Sequence, residues 1–486
     1  MAPRKSLAES LREQDNVKQN GHFSAAGNDQ THADRRHDDY EGDHTLGEPP
    51  ATDAPSAGPN ETPANPWPAP LADAAYYGLA GDLVRAIGPH SEADPAALLI
   101  QSLVALGNII GRTAHFRAEG HVHYCNLFAV LVGRTSKGRK GSSLSRVKQY
   151  LGLIETDWHT NRVQGGLASG EGMVYAVRDP VMKTEPIKGK GGRVESYQEI
   201  IADHGEEDKR LLAVEEEMAG VLRMLERQGN SLSQRIREAW QGTPLGSMTK
   251  NSPTKCREPH IGIIGHVTAE EIRRYLTASE MANGFGNRFI WLCVQRSKLL
   301  PDGSCHTPDE MIVEKLKQAV DFARGVGELR RDDEARAIWH RVYGELSEGK
   351  PGMTGAMLGR AEAQVMRLAC IYAVLDISAS IQPAHLIAAL AVWDYAESSV
   401  KHIFGDSTGD PVADEILRAL RQVPNGLTRT EISNLFGRNL NAGRICAALV
   451  VLHNHALATM TTEKPERGGP AERWRAARNE RNVRND

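Results

Sequence analysis

The chain has 486 residues, more than one compact core usually holds, so its length predicts two or three domains. Its 58 lysines and arginines nearly balance its 62 aspartates and glutamates, which excludes a uniformly basic nucleic-acid coat and confines any basic patch to a local surface. The six cysteines form no C-x-x-C pair, so the usual zinc signature is absent, and free thiols fit a reducing cytoplasm. The sequence shows neither a signal-peptide core nor an apolar run of about 18 residues, so no membrane contact is expected.

Residues 1–66 contain many Asp, His, Asn, Gly and Pro residues and few large apolar side chains, which predicts a disordered N-terminus. Residues 67–125 show apolar side chains at helical spacing and predict a helical lead-in. Within it, "DPAALLIQSLVALGNIIGR" predicts a helix with Asp94 as N-cap, Pro95 in the first turn and an end near Gly111.

Short apolar runs alternate with helical patterns over residues 126–300. This alternation predicts an α/β core with a mostly parallel sheet and helices on its faces. Ligands of such sheets bind beyond the carboxyl ends of the strands, so the residues after each run are the candidates for chemistry. The predicted strands are "NLFAVLVG", "RLLAVEEE", "HIGIIGHV" and "FIWLCVQ".

Two further units follow the core. Residues 301–405 predict a helical domain, whose strongest element is "GAMLGRAEAQVMRLACIYAVLD". Residues 406–464 predict a winged helix-turn-helix, with three helices and a hairpin in "LATMTTEKPERGGPAERWRA"; its second helix is capped by Thr428 or Thr430. Residues 465–486 form a basic tail. The candidate DNA-binding residues are Asn441 and Arg444, at the start of the third helix, and Arg473 and Arg475, for phosphate contacts.

The stretch "VGRTSKGRKGSS" resembles a nucleotide-binding loop with altered spacing. Gly133 and Gly138 keep the first interval of G-x-x-x-x-G-K-[ST], but Arg139 stands where lysine is expected and Lys140 comes one position late. The physical requirements are still met, because a buried strand leads into a glycine-rich turn whose amides can face phosphate. A basic surface turn explains the stretch equally well.

The residues after Lys140 complete this prediction. Gly141, Ser142 and Ser143 follow, and a helix that begins at Ser142 or Ser143 would present its positive end to phosphate. Lys140 is then the candidate for the β- and γ-phosphates of ATP, and the hydroxyl of Ser142 is the candidate serine for the shell of Mg²⁺.

Two groups of glutamates are candidates for catalysis. Glu215, Glu216 and Glu217 end the second predicted strand, where a nucleotide enzyme places a carboxylate near its metal. We assign Glu215 to the metal and Glu216 to catalysis; an acidic helix N-terminus is the alternative. Glu171, in "GGLASGEGMVYAVRD", is a second candidate for activating the attacking water, and a simple turn is the alternative.

Three polar side chains lie at the ends of the remaining strands. His266 and Thr268 follow "HIGIIG" and are candidates for sensing the γ-phosphate, although Thr268 equally suits a helix cap before "AEEI". Arg288 begins the last strand after a Gly284–Gly286 turn and is a candidate finger that enters a neighbouring subunit's site; a structural salt bridge is the alternative. The loop "KTEPIKGKGGR" is a candidate DNA-channel loop or a solvated insertion.

Along the chain these candidates are, in order, a basic glycine-rich loop, a glutamate, an acidic strand end, a polar strand end and an arginine. A RecA-like ATPase core would show its functional residues in the same order. The chain resembles a bacterial and phage family of uncharacterised P-loop proteins that is often annotated only as a domain of unknown function and occurs with primase-polymerase modules. The resemblance spans about residues 78–404 and implies a RecA-like or replicative-helicase-like ATPase that shares the altered loop. It rests on "GLAGDLVRAIGPHSEADPAALLIQSLVALGNIIGR", "VGRTSKGRKGSS", "GGLASGEGMVYAVRDP", "DKRLLAVEEEMAGVLR", "LSQRIREAWQG", "ANGFGNRFIWLCVQRSK" and "LGRAEAQVMRLACIYAVLD".

These observations predict an oligomeric, ring-forming ATPase of a plasmid, prophage or other mobile element that acts on DNA as a helicase-like motor. Because no primase-polymerase module precedes the core, priming would come from a separate primase. The alternative is a nucleotide-gated DNA-binding initiator or regulator that does not translocate. A third possibility is an interaction scaffold with a degenerate site, and the retained Lys140, Glu171 and Glu215 argue against it.

Overall fold

The computed structural model of the protein describes residues 67–134, 138–188, 194–246, 254–350, 352–405, 407–455, 457–463 and 471–477. The predictions of a disordered segment over residues 1–66 and of a basic tail beyond residue 477 lie outside these ranges, as do Lys190 and Arg193 of the proposed channel loop.

The first described segment contains two helices and a hairpin: α1 (Gly78–Ile87), α2 (Pro95–Ile110), β1 (His115–Ala118) and β2 (His121–Tyr124). The prediction for α2 is confirmed. The Asp94 carboxylate accepts a hydrogen bond from the Ala96 amide, Pro95 is the first helical residue, and Gly111 ends the helix with φ of 79°. The β1–β2 hairpin was not predicted, because residues 67–125 were expected to be helical throughout.

The central part of the chain alternates strands and helices. Its elements are β3 (Phe128–Val132), α3 (Lys140–Ile154), α4 (Thr156–Asn161), β4 (Val163–Gln164), α5 (Gly170–Tyr175), β5 (Val181–Lys188), β6 (Val194–Asp203), β7 (Arg210–Glu215), α6 (Met218–Leu225), α7 (Leu232–Gln241), β8 (Leu245–Gly246), β9 (Lys255–Cys256), β10 (His260–Val267), α8 (Ala269–Tyr275), α9 (Ala278–Ala282) and β11 (Phe289–Cys293).

Five of these strands form a wholly parallel sheet in the order β11–β3–β10–β7–β4. In register, Val132 lies opposite both Val267 and Cys293, so β3, β10 and β11 end at one edge. All residues of β3, β10 and β11 are buried, which is why these strands read as continuous apolar runs. The parallel sheet and its four predicted strands are confirmed; β4, only two residues long, is an addition.

Helices dominate the next segment: α10 (Glu310–Val326), β12 (Arg330–Arg331), α11 (Asp333–Ser347), α12 (Gly352–Leu358), α13 (Ala361–Leu375), β13 (Ser380–Ile381) and α14 (Pro383–Phe404). The strongest predicted element is broken into α12 and α13, because Gly359 and Arg360 leave helical geometry; Arg360 has φ −134° and ψ 33°. One hydrophobic cluster extends from Leu71 to Phe404, so the lead-in, the sheet and these helices share a core.

The C-terminal unit has its own, smaller hydrophobic cluster. It contains α15 (Pro411–Gln422), β14 (Leu427–Thr428), α16 (Arg429–Leu435), α17 (Ala442–Asn454), β15 (Ala458–Glu463) and β16 (Ala471–Ala476). The strands pair antiparallel in the order β14–β16–β15. Thr428 caps α16 through a capping box with Glu431, as one of the two predicted caps. Within the described part of the chain, no helix is both long and apolar enough to cross a membrane.

Candidate functional site

The glycine-rich loop lies at the carboxyl edge of the sheet. The amide of Gly133, the residue after β3, donates to the carbonyl of Val267 at the end of β10, 3.2 Å away. A Cβ on Gly133 would lie 2.7 Å from the Val294 carbonyl oxygen, so only glycine fits there. Gly138 returns to this point, since its Cβ would lie 3.9 Å from Gly133 Cα. Residues 135–137 are outside the described ranges.

The helix after the loop begins at Lys140, not at Ser142 or Ser143 as predicted. The residue that ends the loop is Arg139, which has φ of 52° and ψ of 26°, a left-handed conformation that favours glycine. Its side chain forms an ion pair with Glu92, 2.5 Å away, so its charge is already engaged. The backbone amide of Arg139, and not its side chain, is therefore the group that is available to contact a phosphate.

Lys140 is partly buried at this edge. Its Nζ donates to the carbonyls of Gly133 at 3.2 Å, Arg134 at 3.3 Å and Val267 at 3.1 Å. Burial lowers the pKa of Lys140, while Glu271 and Glu270 oppose that shift. The ammonium is thus held between β3 and β10, at the N-terminus of α3, where an anion would meet both its charge and the helix amides.

The two serines have different surroundings. Ser142 is exposed, so its hydroxyl is open to a ligand. Ser143 is fully buried; its Oγ donates to the Lys140 carbonyl at 2.6 Å and accepts from Gln101 Nε2 at 2.7 Å. Ser142, the predicted magnesium-shell serine, is exposed, whereas Ser143 fixes the first turn of α3.

Gln101 joins Ser143 to the end of β10. Its Oε1 lies 3.1 Å from Nε2 of His266, which is 3 % exposed. Burial, with smaller effects from Lys140 and Lys148, lowers the pKa of His266 to about 4, so its ring is neutral at neutral pH. His266 therefore contacts the loop through a buried polar relay with Gln101 and Ser143, and does not project into solvent.

Thr268 acts as a helix cap. Its hydroxyl accepts from the Glu271 amide and contacts the Glu271 carboxylate, which in turn accepts from the Thr268 amide at 2.9 Å. These bonds satisfy a complete capping box at the start of α8. Of the two roles considered for Thr268, the structure provides the contacts of a cap.

Glu215 and Glu216 face different neighbours. Glu215 is 9 % exposed, and its Oε1 accepts from the amides of Gly166 and Leu167, both at 2.7 Å. Glu216 is exposed, and its Oε2 lies 3.6 Å from the position of a Cβ on Gly141. Glu216 is thus the carboxylate beside the start of α3, while Glu215 holds the segment after β4 against β7.

Glu171 lies elsewhere along the edge. Its carboxylate accepts from Ser231 Oγ at 2.9 Å, where α5 meets the start of α7. The preceding strand, β4, is three strand spacings from β3, or about 14 Å. Within the described residues, no hydrogen bond or ion pair joins Glu171 to Lys140 or Glu216.

Oxygen-bearing side chains at this edge are candidates for the predicted magnesium site. No group of three or more His, Cys, Asp or Glu side chains in the described ranges is arranged to hold a metal alone. Magnesium bound with phosphates needs only one or two protein oxygens, and the exposed Ser142 and Glu216 supply oxygens on either side of Gly141. The free Oε2 of Glu215 is the next candidate.

Arg288 lies at the opposite edge of the sheet, directly before β11. Its Nη1 donates to the carbonyl of Gly284 at 2.5 Å and to Asn287 Oδ1 at 3.1 Å, and it forms no ion pair within the described chain. The predicted alternative of a salt bridge is thus not observed there. Burial and the nearby Arg360 and Arg237 lower the pKa of Arg288 to about 10.

The four candidate DNA-binding residues all make contacts within the C-terminal unit. Asn441 caps α17 by accepting from the Arg444 amide, and Arg444 binds both carboxylate oxygens of Asp410. Arg473 and Arg475 both pair with Glu463. Along the first three turns of α17 the exposed residues 442, 443, 447 and 450 are Ala, Gly, Ala and Val, which offer no hydrogen-bonding side chain to a base; at its C-terminal end His453 and Asn454 are exposed.

The proposed channel loop is part of a two-stranded ribbon. Lys183 and Lys188 lie on β5, which pairs antiparallel with β6, and Lys183 is 3.4 Å from Glu185. The ribbon projects exposed side chains and is anchored at its base by Arg178, which binds both oxygens of Asp203. The solvated-insertion alternative matches the exposure of β5 and β6.

Two residues of interest were missed by the sequence analysis. Gln101 lies inside a helix whose other core residues are almost all apolar, and that exception was a signal for a buried contact. Arg360 follows Gly359 within a run that otherwise predicts an unbroken helix, and a Gly-Arg pair there was a signal for a break.

Comparison with models of known protein families found no match to the chain, and comparison with curated proteins found none either.

Proposed function

We propose that this protein is an ATP-dependent protein that acts on DNA, with a RecA-like P-loop core that binds ATP and Mg²⁺ at residues 133–143. The main support is the first turn of α3, beyond the carboxyl end of β3: the Lys140 ammonium lies there against the Gly133 carbonyl, and the Glu216 carboxylate lies beside Gly141. A helix N-terminus and an enclosed ammonium bind phosphate, and a carboxylate beside them provides a base or a metal ligand.

In this proposal each residue has a separate task. Lys140 exchanges its three carbonyl acceptors for β- and γ-phosphate oxygens, and the amides of Gly141 and Ser142 bind the same phosphates. Glu216 orients the attacking water, and the hydroxyl of Ser142 would be a ligand of the Mg²⁺ ion. A bound Mg²⁺ supplies charge neutralisation across the phosphates. The Gln101–Ser143–His266 relay fixes the first turn of α3, and Glu215 holds the segment after β4.

The DNA part of the proposal has narrower support. The C-terminal unit has the element order of a winged helix, with three helices and a three-stranded antiparallel sheet. Because its candidate arginines are paired with carboxylates and the N-terminal turns of α17 expose small apolar side chains, we place DNA contacts preferentially on the core and treat this unit as an adaptor for DNA or protein.

One observation favours the alternative function, a nucleotide-gated switch without translocation. The Lys140 ammonium is already satisfied by three carbonyls, so binding ATP requires the loop to exchange those bonds. A rearrangement of this kind suits a protein whose two loop states differ in DNA or partner affinity.

The test compares ATP hydrolysis and ATP binding of the wild-type protein, Lys140→Ala and Lys148→Ala, each with and without single-stranded DNA. Lys148 lies on the same helix, two turns further on, and is the matched control for loss of one positive charge. We expect Lys140→Ala to lower hydrolysis at least about 100-fold, because the lysine acts on the transferred phosphate. Lys148→Ala should stay within about twofold.

The outcomes separate the functions. Hydrolysis that rises with DNA and depends on Lys140 supports the motor. ATP binding without hydrolysis under any DNA condition supports the switch. If the wild type binds no nucleotide, or if Lys140→Ala equals Lys148→Ala in binding and hydrolysis, the loop is a basic surface turn and the proposal is wrong.

A further inference from the structure

Arg139 has an unusual backbone conformation for its position in the chain. Four residues other than glycine have a positive φ in the described ranges, namely Glu119, Arg139, Ile377 and Arg438. Glu119 lies in the turn between β1 and β2, and Ile377 and Arg438 follow the ends of α13 and α16, where left-handed residues are common. Arg139 is the one of the four that directly precedes a helix, with φ of 52° and ψ of 26°. Neither a hairpin turn nor a helix end explains its conformation.

This conformation suits the proposed phosphate contact. A left-handed residue followed by a right-handed helical one turns consecutive backbone amides toward the same point, and such a concave arrangement binds anions. Lys140 is the first residue of α3, and the Arg139 side chain makes no capping bond to the helix, so it does not compete for the first amides. A left-handed conformation is unfavourable for every residue type except glycine, and Arg139 therefore needs a contact that holds it.

The ion pair with Glu92 is that contact. Oε2 of Glu92 lies 2.5 Å from Nε of Arg139, and the Glu92 side chain is 15 % exposed. The other carboxylate oxygen, Oε1, accepts from the Leu300 amide at 2.8 Å. The bond from Leu300 and the charges of Arg139 and Arg296 lower the pKa of Glu92, while partial burial opposes them, so the carboxylate is ionised at neutral pH. Its two oxygens thus connect the loop to the segment that follows β11.

Glu92 is itself fixed in place by its neighbours. Its carbonyl accepts from the amide of Ser297 at 3.0 Å and from the Ser297 hydroxyl at 3.2 Å. Asp94, two residues further on, caps α2 and also accepts from the Gln295 amide at 3.0 Å. An exposed ion pair usually contributes little, because both side chains must be ordered to form it. Here the carboxylate is already ordered by α2 and by the segment after β11, so it can hold the guanidinium.

We propose that Glu92 is a positioning residue of the nucleotide site, which holds Arg139 in its left-handed conformation and so keeps the amides at the start of α3 directed at phosphate. The inference rests on the proposed nucleotide function and adds to it a residue from the loop before α2. Glu92 does not touch the nucleotide and acts through Arg139. Because the same carboxylate binds the Leu300 amide, the position of the segment after β11 also affects the loop.

Binding of a fluorescent, non-hydrolysable ATP analogue to variants of the full-length protein tests this role. Glu92→Gln keeps an oxygen for the Leu300 amide and removes the charge that faces Arg139. It should weaken binding about five- to tenfold, which is the effect of one unfavourable left-handed residue. Arg296→Gln is the matched control, because it removes the other cation of Glu92, 3.8 Å away on the segment after β11, and should stay within about twofold of the wild type.

Two substitutions of Arg139 separate the backbone from the charge. Arg139→Ala and Arg139→Gly both lose the ion pair, but only glycine adopts a positive φ without strain. Arg139→Gly should therefore bind the analogue about fivefold or more tightly than Arg139→Ala. In the Arg139→Gly background, Glu92→Gln should change binding by less than about twofold, since Glu92 has no guanidinium left to hold. A purely structural role of Glu92 would weaken binding by the same factor in both backgrounds.

Thermal unfolding identifies any variant that fails to fold. If Glu92→Gln is one of them, the comparison of Arg139→Gly with Arg139→Ala supplies the result. The inference is wrong if Glu92→Gln binds the analogue as tightly as the wild type, or if it weakens binding equally in the Arg139→Gly background. It is also wrong if Arg139→Ala binds as tightly as Arg139→Gly. A wild type that binds no nucleotide refutes the proposed function, and with it the site that Glu92 would serve.

Discussion

Glu216 and Glu171 were both catalytic candidates, and their surroundings now differ. Glu216 is next to Gly141 at the start of α3, whereas Glu171 contacts Ser231 near the far end of the sheet edge. Glu216→Gln should lower the rate of ATP hydrolysis by about 100-fold or more with ATP binding retained, because it removes the base that orients water. Glu171→Gln should stay within about threefold, and its thermal unfolding should be the more informative measurement.

The reverse order of effects would contradict this assignment. If Glu171→Gln abolishes hydrolysis and Glu216→Gln does not, the segment after β4 must move to the loop when ATP binds. Binding of a fluorescent ATP analogue to both variants is the control, since a loss of binding would make either rate uninterpretable.

The sequence predicted those parts of the site whose position depends on residues nearby in the chain. Lys140 and Glu216 could be found because each follows an apolar run that becomes a strand. The contact of Glu171 with Ser231 joins residues far apart in the chain, and no local pattern encodes it. The start of α3 was misplaced because propensity does not predict that Arg139 adopts a left-handed conformation.

At the scale of elements, Gln101 connects α2, α3 and β10 through one side chain. It bonds Ser143 on α3 and His266 on β10, and both partners are buried. Because the pKa of His266 falls from its ordinary 6.5 to about 4, unfolding takes up a proton below pH 6.5. The stability that the neutral ring provides is complete above about pH 6.5 and is lost as the pH falls to about 4.

We therefore expect the free energy of unfolding to fall less steeply between pH 6.5 and 4 in His266→Asn than in the wild type, as measured by chemical denaturation at several pH values. Each pKa unit of the shift corresponds to about 1.4 kcal/mol, so His266 accounts for up to about 3 kcal/mol. Buried His260 and half-buried His123 titrate in the same direction in both proteins, so only the difference between the two curves reports His266. Identical slopes would contradict the buried neutral assignment.

The elements themselves were predictable to different degrees. β3, β7, β10 and β11 are apolar runs because both faces of the sheet are covered, whereas β4 has two residues and forms only because β7 offers it an edge. The break between α12 and α13 falls at Gly359 and Arg360, and the contact that accompanies it is tertiary: a Cβ on Gly286 would lie 2.3 Å from Met357 Sδ, so α12 packs tightly against the turn before β11.

At the scale of the whole molecule, the two hydrophobic clusters divide the described chain near residue 405. One polar contact across this division is the Met353 amide to the Ser407 carbonyl, 3.3 Å away. We expect calorimetry of the full chain to show two unfolding transitions, and a variant that ends at residue 405 to keep the larger one and its basal ATP hydrolysis. A single transition, or an unfolded shortened variant, would show that the C-terminal unit is part of the main core's cooperative unit.

The strand order of the sheet also constrains how the chain reaches this structure during synthesis. β10 pairs with both β3 and β7, yet it leaves the ribosome after both of them. At ordinary translation speeds of about 5–20 residues per second, roughly 7–30 s pass between the completion of β3 and that of β10. During that interval β3 and β7 have no central strand between them, so the nascent chain carries two unpaired apolar strand edges until residue 267 is made.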